Sequence, residues 1–203
     1  MNSKSLPVDP IAAVPDPVSA WNVANGLTVL RLLLVPVFAV ILVHHNGALD
    51  SWRVGACLVF ALASLTDRFD GELARRRGLV TEFGKLADPI ADKALVGTAV
   101  VGLSALHLLA WWITVVIVVR EVGVTLLRFS VIRHGVIAAS RGGKVKTLLQ
   151  TVAIGLFVLP LRGWPHAAAE VVMIAAVVVA VGTGLDYVSR AVRLRRTGLR
   201  TRA

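Results

Sequence analysis

The sequence predicts an all-α integral membrane protein: six transmembrane helices with a short N-terminal interfacial helix. Three observations predict it. Hydrophobic residues make up 56% of the 203 and mean hydropathy is +0.76, whereas a soluble domain is about 45–50% apolar. The excess falls in long runs of Leu, Val, Ala and Ile, each near the roughly 20 residues a spanning helix needs. Basic residues cluster in alternate loops, the asymmetry that orients membrane helices.

Residues 1–16 are polar and dotted with proline, and read as a disordered tail. Lys4 is the only basic residue there, so the start does not resemble a cleaved signal sequence. Val18–Asn25, with Trp21 at headgroup level, is expected to form the interfacial helix. Spans are then expected at about Leu27–Val43, Trp52–Arg77, Glu82–Leu108, Trp111–Arg133, Lys144–Leu161 and Ala167–Val192. His44-His45-Asn46-Gly47 reads as a loop, Gly78 as a C-cap and Arg162-Gly163-Trp164-Pro165 as a turn. The membrane domain is thus 17–192, and 193–203 is a basic tail.

Arg75, Arg76, Arg77 and Lys85 lie between spans two and three. Arg133, Arg141, Lys144 and Lys146 lie between four and five, and Arg190 to Arg202 follow span six. The opposite loops carry only Arg53 and Arg162. The expected location is the cell (inner or plasma) membrane, with both termini cytoplasmic. The same asymmetry accounts for the net charge of +10. No basic-aromatic pattern points to nucleic acid. The single cysteine, Cys57, excludes an intrachain disulfide and a Cys-rich metal site.

Chemistry concentrates at the junction of spans two and three. Asp67, Asp70, Gly71 and Ala74 stand at i, i+3, i+4 and i+7, and Gly84, Asp88 and Asp92 at i, i+4 and i+8, so each set shares a helix face. Four ionised carboxylates facing lipid would cost on the order of 10 kcal/mol. They must therefore face a polar cavity and be compensated. Arg68 and Arg75 cannot neutralise all four, whereas two divalent cations can. An all-oxygen donor set suits Mg²⁺ or Mn²⁺, and paired ions of this kind serve phosphoryl transfer. Gly71, Ala74 and Gly84 leave room beside the carboxylates for a bulky polyanion such as a nucleotide diphosphate. Two simpler readings stand beside this one. Asp88-Pro89 has the form of a helix start, Asp as N-cap and Pro at N1, and Asp67 and Asp70 could be ion-pair partners of nearby arginines.

The pattern D-x2-D-G-x2-A-R-x8-G-x3-D-x3-D, here Asp67, Asp70, Gly71, Ala74, Arg75, Gly84, Asp88 and Asp92, is complete in this chain. It resembles the signature of the CDP-alcohol phosphatidyltransferases, and the six-span layout over about residues 20–192 is similar to that family's fold. The resemblance implies that Asp67, Asp70, Asp88 and Asp92 hold two divalent ions gripping the pyrophosphate of a CDP-linked lipid. It implies that Asp92 is the general base on the acceptor hydroxyl, which attacks the lipid-side phosphate and expels CMP. It also implies a homodimer.

The remaining polar residues of the spans bear on the acceptor. Arg120, Arg128, Lys144 and Lys146 suit a phosphate, Arg by bidentate contact and Lys as a point charge. Gly142-Gly143 before the lysines would add free N–H donors at a helix start. This is not a Walker A loop, because Val145 stands where Ser or Thr should follow the lysine. An ion pair within the bundle is the simpler reading for Arg120, and loop charge for the lysines. Asn25-x2-Thr28-x2-Arg31-x4-Pro36, Arg120-Glu121, Arg128 and Ser140-x2-Gly143-Lys144-x-Lys146-Thr147-x2-Gln150 resemble the branch that takes sn-glycerol 3-phosphate as acceptor. That likeness implies that Asn25, Thr28 and Arg31 line the CDP-diacylglycerol pocket together with Asp67, Gly71, Ala74, Arg75 and Gly84. Interfacial hydrogen bonding with a snorkelling arginine is the alternative for the first three. The expected reaction joins CDP-diacylglycerol to glycerol 3-phosphate in membrane lipid and releases CMP. Cardiolipin synthesis is the alternative within the family. A divalent-cation transporter is the alternative from another class, although it gives Arg120, Arg128 and the lysine pair no task.

Overall fold

The computed structural model describes residues 23–77, 82–131 and 141–200, with side chains described for 25–66, 87–127, 130 and 142–193. Among the described residues the protein is all-helical: α1 (Val23–Val43), α2 (Asp50–Arg77), α3 (Glu82–Ala105), α4 (Trp111–Val131), α5 (Arg141–Val158) and α6 (Trp164–Arg200), with a 3₁₀ turn at His44–Gly47. Among the described residues, two stretches are long and apolar enough to cross a membrane, Asn25–Gly47 with mean hydropathy 2.5 and Trp164–Arg193 with 2.2. Charges such as Asp88, Asp92 and Lys93 lower the hydropathy of α3.

The helix ends have local causes. The turn after α1 runs through positive φ at His45, Asn46 and Gly47, which reverses the chain within four residues. A side chain on Gly47 would also meet Leu106. α3 stops at Ala105, short of the expected Leu108, because His107 takes a left-handed φ of 57° and the Leu108 N–H turns back to Leu103 O at 2.9 Å. α5 stops at Val158 rather than Leu161, just before the residue that precedes Pro160, which cannot continue a helix. α6 extends to Arg200, so Arg193–Arg200, read from sequence as tail, is helical. Val23–Asn25 are continuous with α1 rather than part of a separate interfacial helix; residues 18–22 and Gly78 lie outside the described residues.

One core receives side chains from all six helices, among them Phe38, Phe60, Leu103, Ile117, Ile154 and Met173, each at most 2% exposed. α1 lies against α2 and α3, α5 against α6 and also α2 and α3, and α4 against α6. Small residues let the backbones approach: Ala56, Ala63, Ala99, Ala153 and Ala169 are fully buried. Gly102 takes Leu42 so closely that an added Cβ would lie 2.8 Å from Leu42 Cδ2.

The outer surface inverts the soluble pattern. Leu33, Leu58, Val119, Val171 and Leu185 are each more than 60% exposed, while Arg31 is 0% exposed. Such a surface suits lipid rather than water. The bundle end away from the carboxylates is closed by the two isolated arginines. Arg53 donates to the carbonyls of Phe157, Val158 and Leu159 at 2.8–3.0 Å, capping α5, and Arg162 pairs with Asp50. The start of α1, the end of α2, the start of α3, the end of α4 and the start of α5 share the other end, where the polar residues collect.

Candidate functional site

The site begins with three polar residues on α1. Asn25, Thr28 and Arg31, at i, i+3 and i+6, are 6%, 1% and 0% exposed. They face inward, so Arg31 does not snorkel to the surface. Thr28 Oγ1 donates to Asp88 Oδ1 at 2.5 Å, tying α1 to α3. That bond leaves the other carboxylate oxygen of Asp88 to other ligands.

Asp88 is not an N-cap. α3 starts six residues earlier at Glu82, and Pro89 lies inside it. Asp92 follows one turn later on the same face, with Ala91 fully buried beside it. Asp67, Asp70, Gly71, Ala74 and Arg75 lie on the last three turns of α2, and Gly84 on the first turn of α3. Their side chains and surroundings are outside the described residues, as is the side chain of Arg128. Among the described residues no group of three or more His, Cys, Asp or Glu gathers.

Two adjoining cavities meet at Asp92. The larger, about 330 Å³, is mostly apolar and runs between α2, α3 and α5, with Arg31, Phe60, Leu65, Leu95, Leu148 and Val152 on its walls. The smaller, about 10 Å³, has room for roughly one water and is bordered by Asp92, Lys93, Glu121, Lys146, Thr147 and Gln150. Asp92, Val96, Thr147 and Thr151 border both. One carboxylate therefore stands between an apolar chamber and a polar cleft.

The polar cleft rests on a relay of charge. Glu121 Oε1 accepts from Arg120 Nη1 at 3.1 Å and also from Lys146 Nζ. Arg120 is held further by Ala180 O and Thr183 Oγ1, both at 3.2 Å, and packs its stem over Gly184. So the ion pair that sequence offered as the simpler reading for Arg120 is present, within α4, while the bonds to Ala180 and Thr183 tie α4 to α6. Lys146 is 6% exposed and borders the cleft, whereas Lys144 is exposed. Two residues put them about 200° apart round the helix. Glu121, Thr147 and Gln150 were visible in sequence only as motif positions. Glu121 gave no sign of its role because its partner Lys146 lies 25 residues away.

A helical bundle with an inside-out surface and a half-buried carboxylate between an apolar and a polar cavity is a membrane enzyme's architecture. The chain belongs to the CDP-alcohol phosphatidyltransferase family, whose model matches residues 21–182. It is similar to the probable phosphatidylglycerophosphate synthase of Mycobacterium tuberculosis (strain H37Rv), 59% identical over 172 residues that cover 85% of this chain and 82% of that protein. It is also similar to two proteins named CDP-diacylglycerol–glycerol-3-phosphate 3-phosphatidyltransferase. One, from Bacillus subtilis, is 33% identical over 183 residues, covering 84% of this chain and 95% of that one. The other, from Escherichia coli K12, is 35% identical over 178 residues, with 84% and 95% covered. The chain is accordingly a transferase of phospholipid biosynthesis, from a family generally dependent on a divalent metal ion.

Proposed function

We propose that this protein transfers the phosphatidyl group of CDP-diacylglycerol to sn-glycerol 3-phosphate, giving phosphatidylglycerophosphate and CMP. The observation that carries the reading is the position of Asp92, at the meeting point of the apolar chamber and the polar cleft. The names of relatives at 59%, 33% and 35% identity support the same acceptor.

The residues divide the work. The chamber beside Arg31, Phe60 and Leu65 takes acyl chain and the lipid-side phosphate, with Asn25 and Thr28, buried on the turns of α1 before Arg31, as further binding residues. Asp67, Asp70, Asp88 and Asp92 are the proposed ligands of two Mg²⁺ or Mn²⁺ ions. Asp88 and Asp92 fit that donor set, two hard carboxylates one turn apart, the first oriented by Thr28. Ions held there would neutralise the pyrophosphate and the charge that develops on it. Asp92 takes the proton of the acceptor hydroxyl as that oxygen attacks phosphorus, and CMP leaves. Lys146 leaves Glu121 for the acceptor phosphate, with Arg128 and Lys144 as further candidates and Arg120 holding Glu121 in place. Energy from the non-reacting phosphate then orients the hydroxyl.

The wider reading is a six-span homodimer in the cell membrane, with both termini and the active site on the cytoplasmic side. The test is release of CMP by purified protein given CDP-diacylglycerol, Mg²⁺ and a panel of acceptors. Release that depends on glycerol 3-phosphate is expected. Preference for phosphatidylglycerol would instead establish cardiolipin synthesis. Divalent-cation flux through proteoliposomes without CMP release would establish a transporter.

A further inference from the structure

Gln150 lies one turn beyond Lys146 on α5 and borders the polar cleft beside Asp92. It is 2% exposed, and its Oε1 is buried with no hydrogen-bond partner among the described residues. Buried polar atoms are nearly always paired, so an orphan at a substrate cleft points to a donor that arrives with the substrate. Its neighbours do not fill the role: Lys146 Nζ is engaged by Glu121, and Thr147 Oγ1 donates to Gly143 O at 3.1 Å.

Resting on the proposed function, we infer that Gln150 determines specificity by accepting a hydrogen bond from the acceptor's secondary hydroxyl. Glycerol 3-phosphate has three polar stations: the phosphate, the middle hydroxyl and the reacting hydroxyl. Lys146 and Asp92 account for the two ends. Side chains one turn apart on a helix are about 5–6 Å apart at Cβ, so Gln150 is placed to meet the middle of a three-carbon chain held at both ends. A buried acceptor built for a hydroxyl rejects the analogue that lacks it, because the site's polar atom is then left unpaired.

The experiment compares glycerol 3-phosphate with 3-hydroxypropyl phosphate, which keeps the phosphate and the primary hydroxyl but lacks the secondary one. CMP release from CDP-diacylglycerol gives kcat/KM for each. The intact enzyme should prefer glycerol 3-phosphate by about a hundredfold or more. Gln150→Met, close in shape and without the amide, should bring the two substrates within about tenfold. Gln150→Asn, which keeps the amide and withdraws it by one methylene, should fall between and serves if the Met variant does not fold. A preference unchanged in a folded variant, or absent from the intact enzyme, overturns the assignment while leaving the proposed reaction standing. Failure of the intact enzyme to use glycerol 3-phosphate at all would overturn the proposed function itself.

Discussion

Lys144 and Lys146 have the same chemistry and almost the same sequence position, yet one is exposed and the other is buried against Glu121. Charge-assisted contacts contribute about 1.5–3 kcal/mol each. Lys146→Ala should therefore raise the KM for glycerol 3-phosphate by about tenfold or more and leave that for CDP-diacylglycerol nearly unchanged, with Lys144→Ala the milder of the two. Equal losses for both substrates in steady-state assays would remove Lys146 from the acceptor site. Thr28 makes a separate prediction. Its hydroxyl orients Asp88, and loss of such an outer partner typically costs about 10–100-fold in metal affinity. Thr28→Val should need correspondingly more Mg²⁺ for half-maximal activity and recover when Mg²⁺ is raised. A titration that matches the unaltered enzyme would count against this role.

At the scale of the element, Arg53 and Gly102 test how the bundle is held. Arg53 satisfies three carbonyls at the end of α5. Arg53→Met should destabilise the protein by about 1–3 kcal/mol through those unpaired groups, read as a lower Tm in detergent, with KM values unchanged. Gly102→Val would press into Leu42, and overpacking of this kind costs about 1–3 kcal/mol. An unaltered Tm in both would mean the helix ends and the α1–α3 contact carry little. The helices themselves were legible, because each is an apolar run with charges, Gly or Pro at its borders. Their ends were less so. His107 ends α3 without a glycine to announce it, and α6 runs on to Arg200 because Arg and Leu are good helix formers whether or not lipid surrounds them. Of the site, the carboxylate pattern was plain, since charge in an apolar run has few explanations. Glu121 was hidden by its distance from Lys146 in sequence, and Gln150 because an uncharged amide, though polar, carries no charge that demands a partner.

The whole molecule is organised inside out, with Arg31, Lys146 and Gln150 buried and a coat of Leu and Val exposed. Its basic residues favour the end that holds the site. With Cys57 replaced by Ala, an Ala203→Cys variant should react with an impermeant maleimide in inverted vesicles and not in intact cells; labelling in intact cells would reverse the proposed orientation. On the proposed function, Asp92 stands where a lipid phosphate from the apolar chamber and a hydroxyl from the polar cleft meet, and this is the claim on which the account depends. Asp92→Asn keeps the size of the side chain but cannot take up a proton as a general base. The deciding measurement is CMP release from CDP-diacylglycerol with glycerol 3-phosphate, alongside CDP-diacylglycerol binding, in this variant and the unaltered protein. The account predicts acceptor-dependent release by the unaltered protein, and loss of release with binding largely kept in Asp92→Asn. Turnover by Asp92→Asn at the unaltered rate would contradict it.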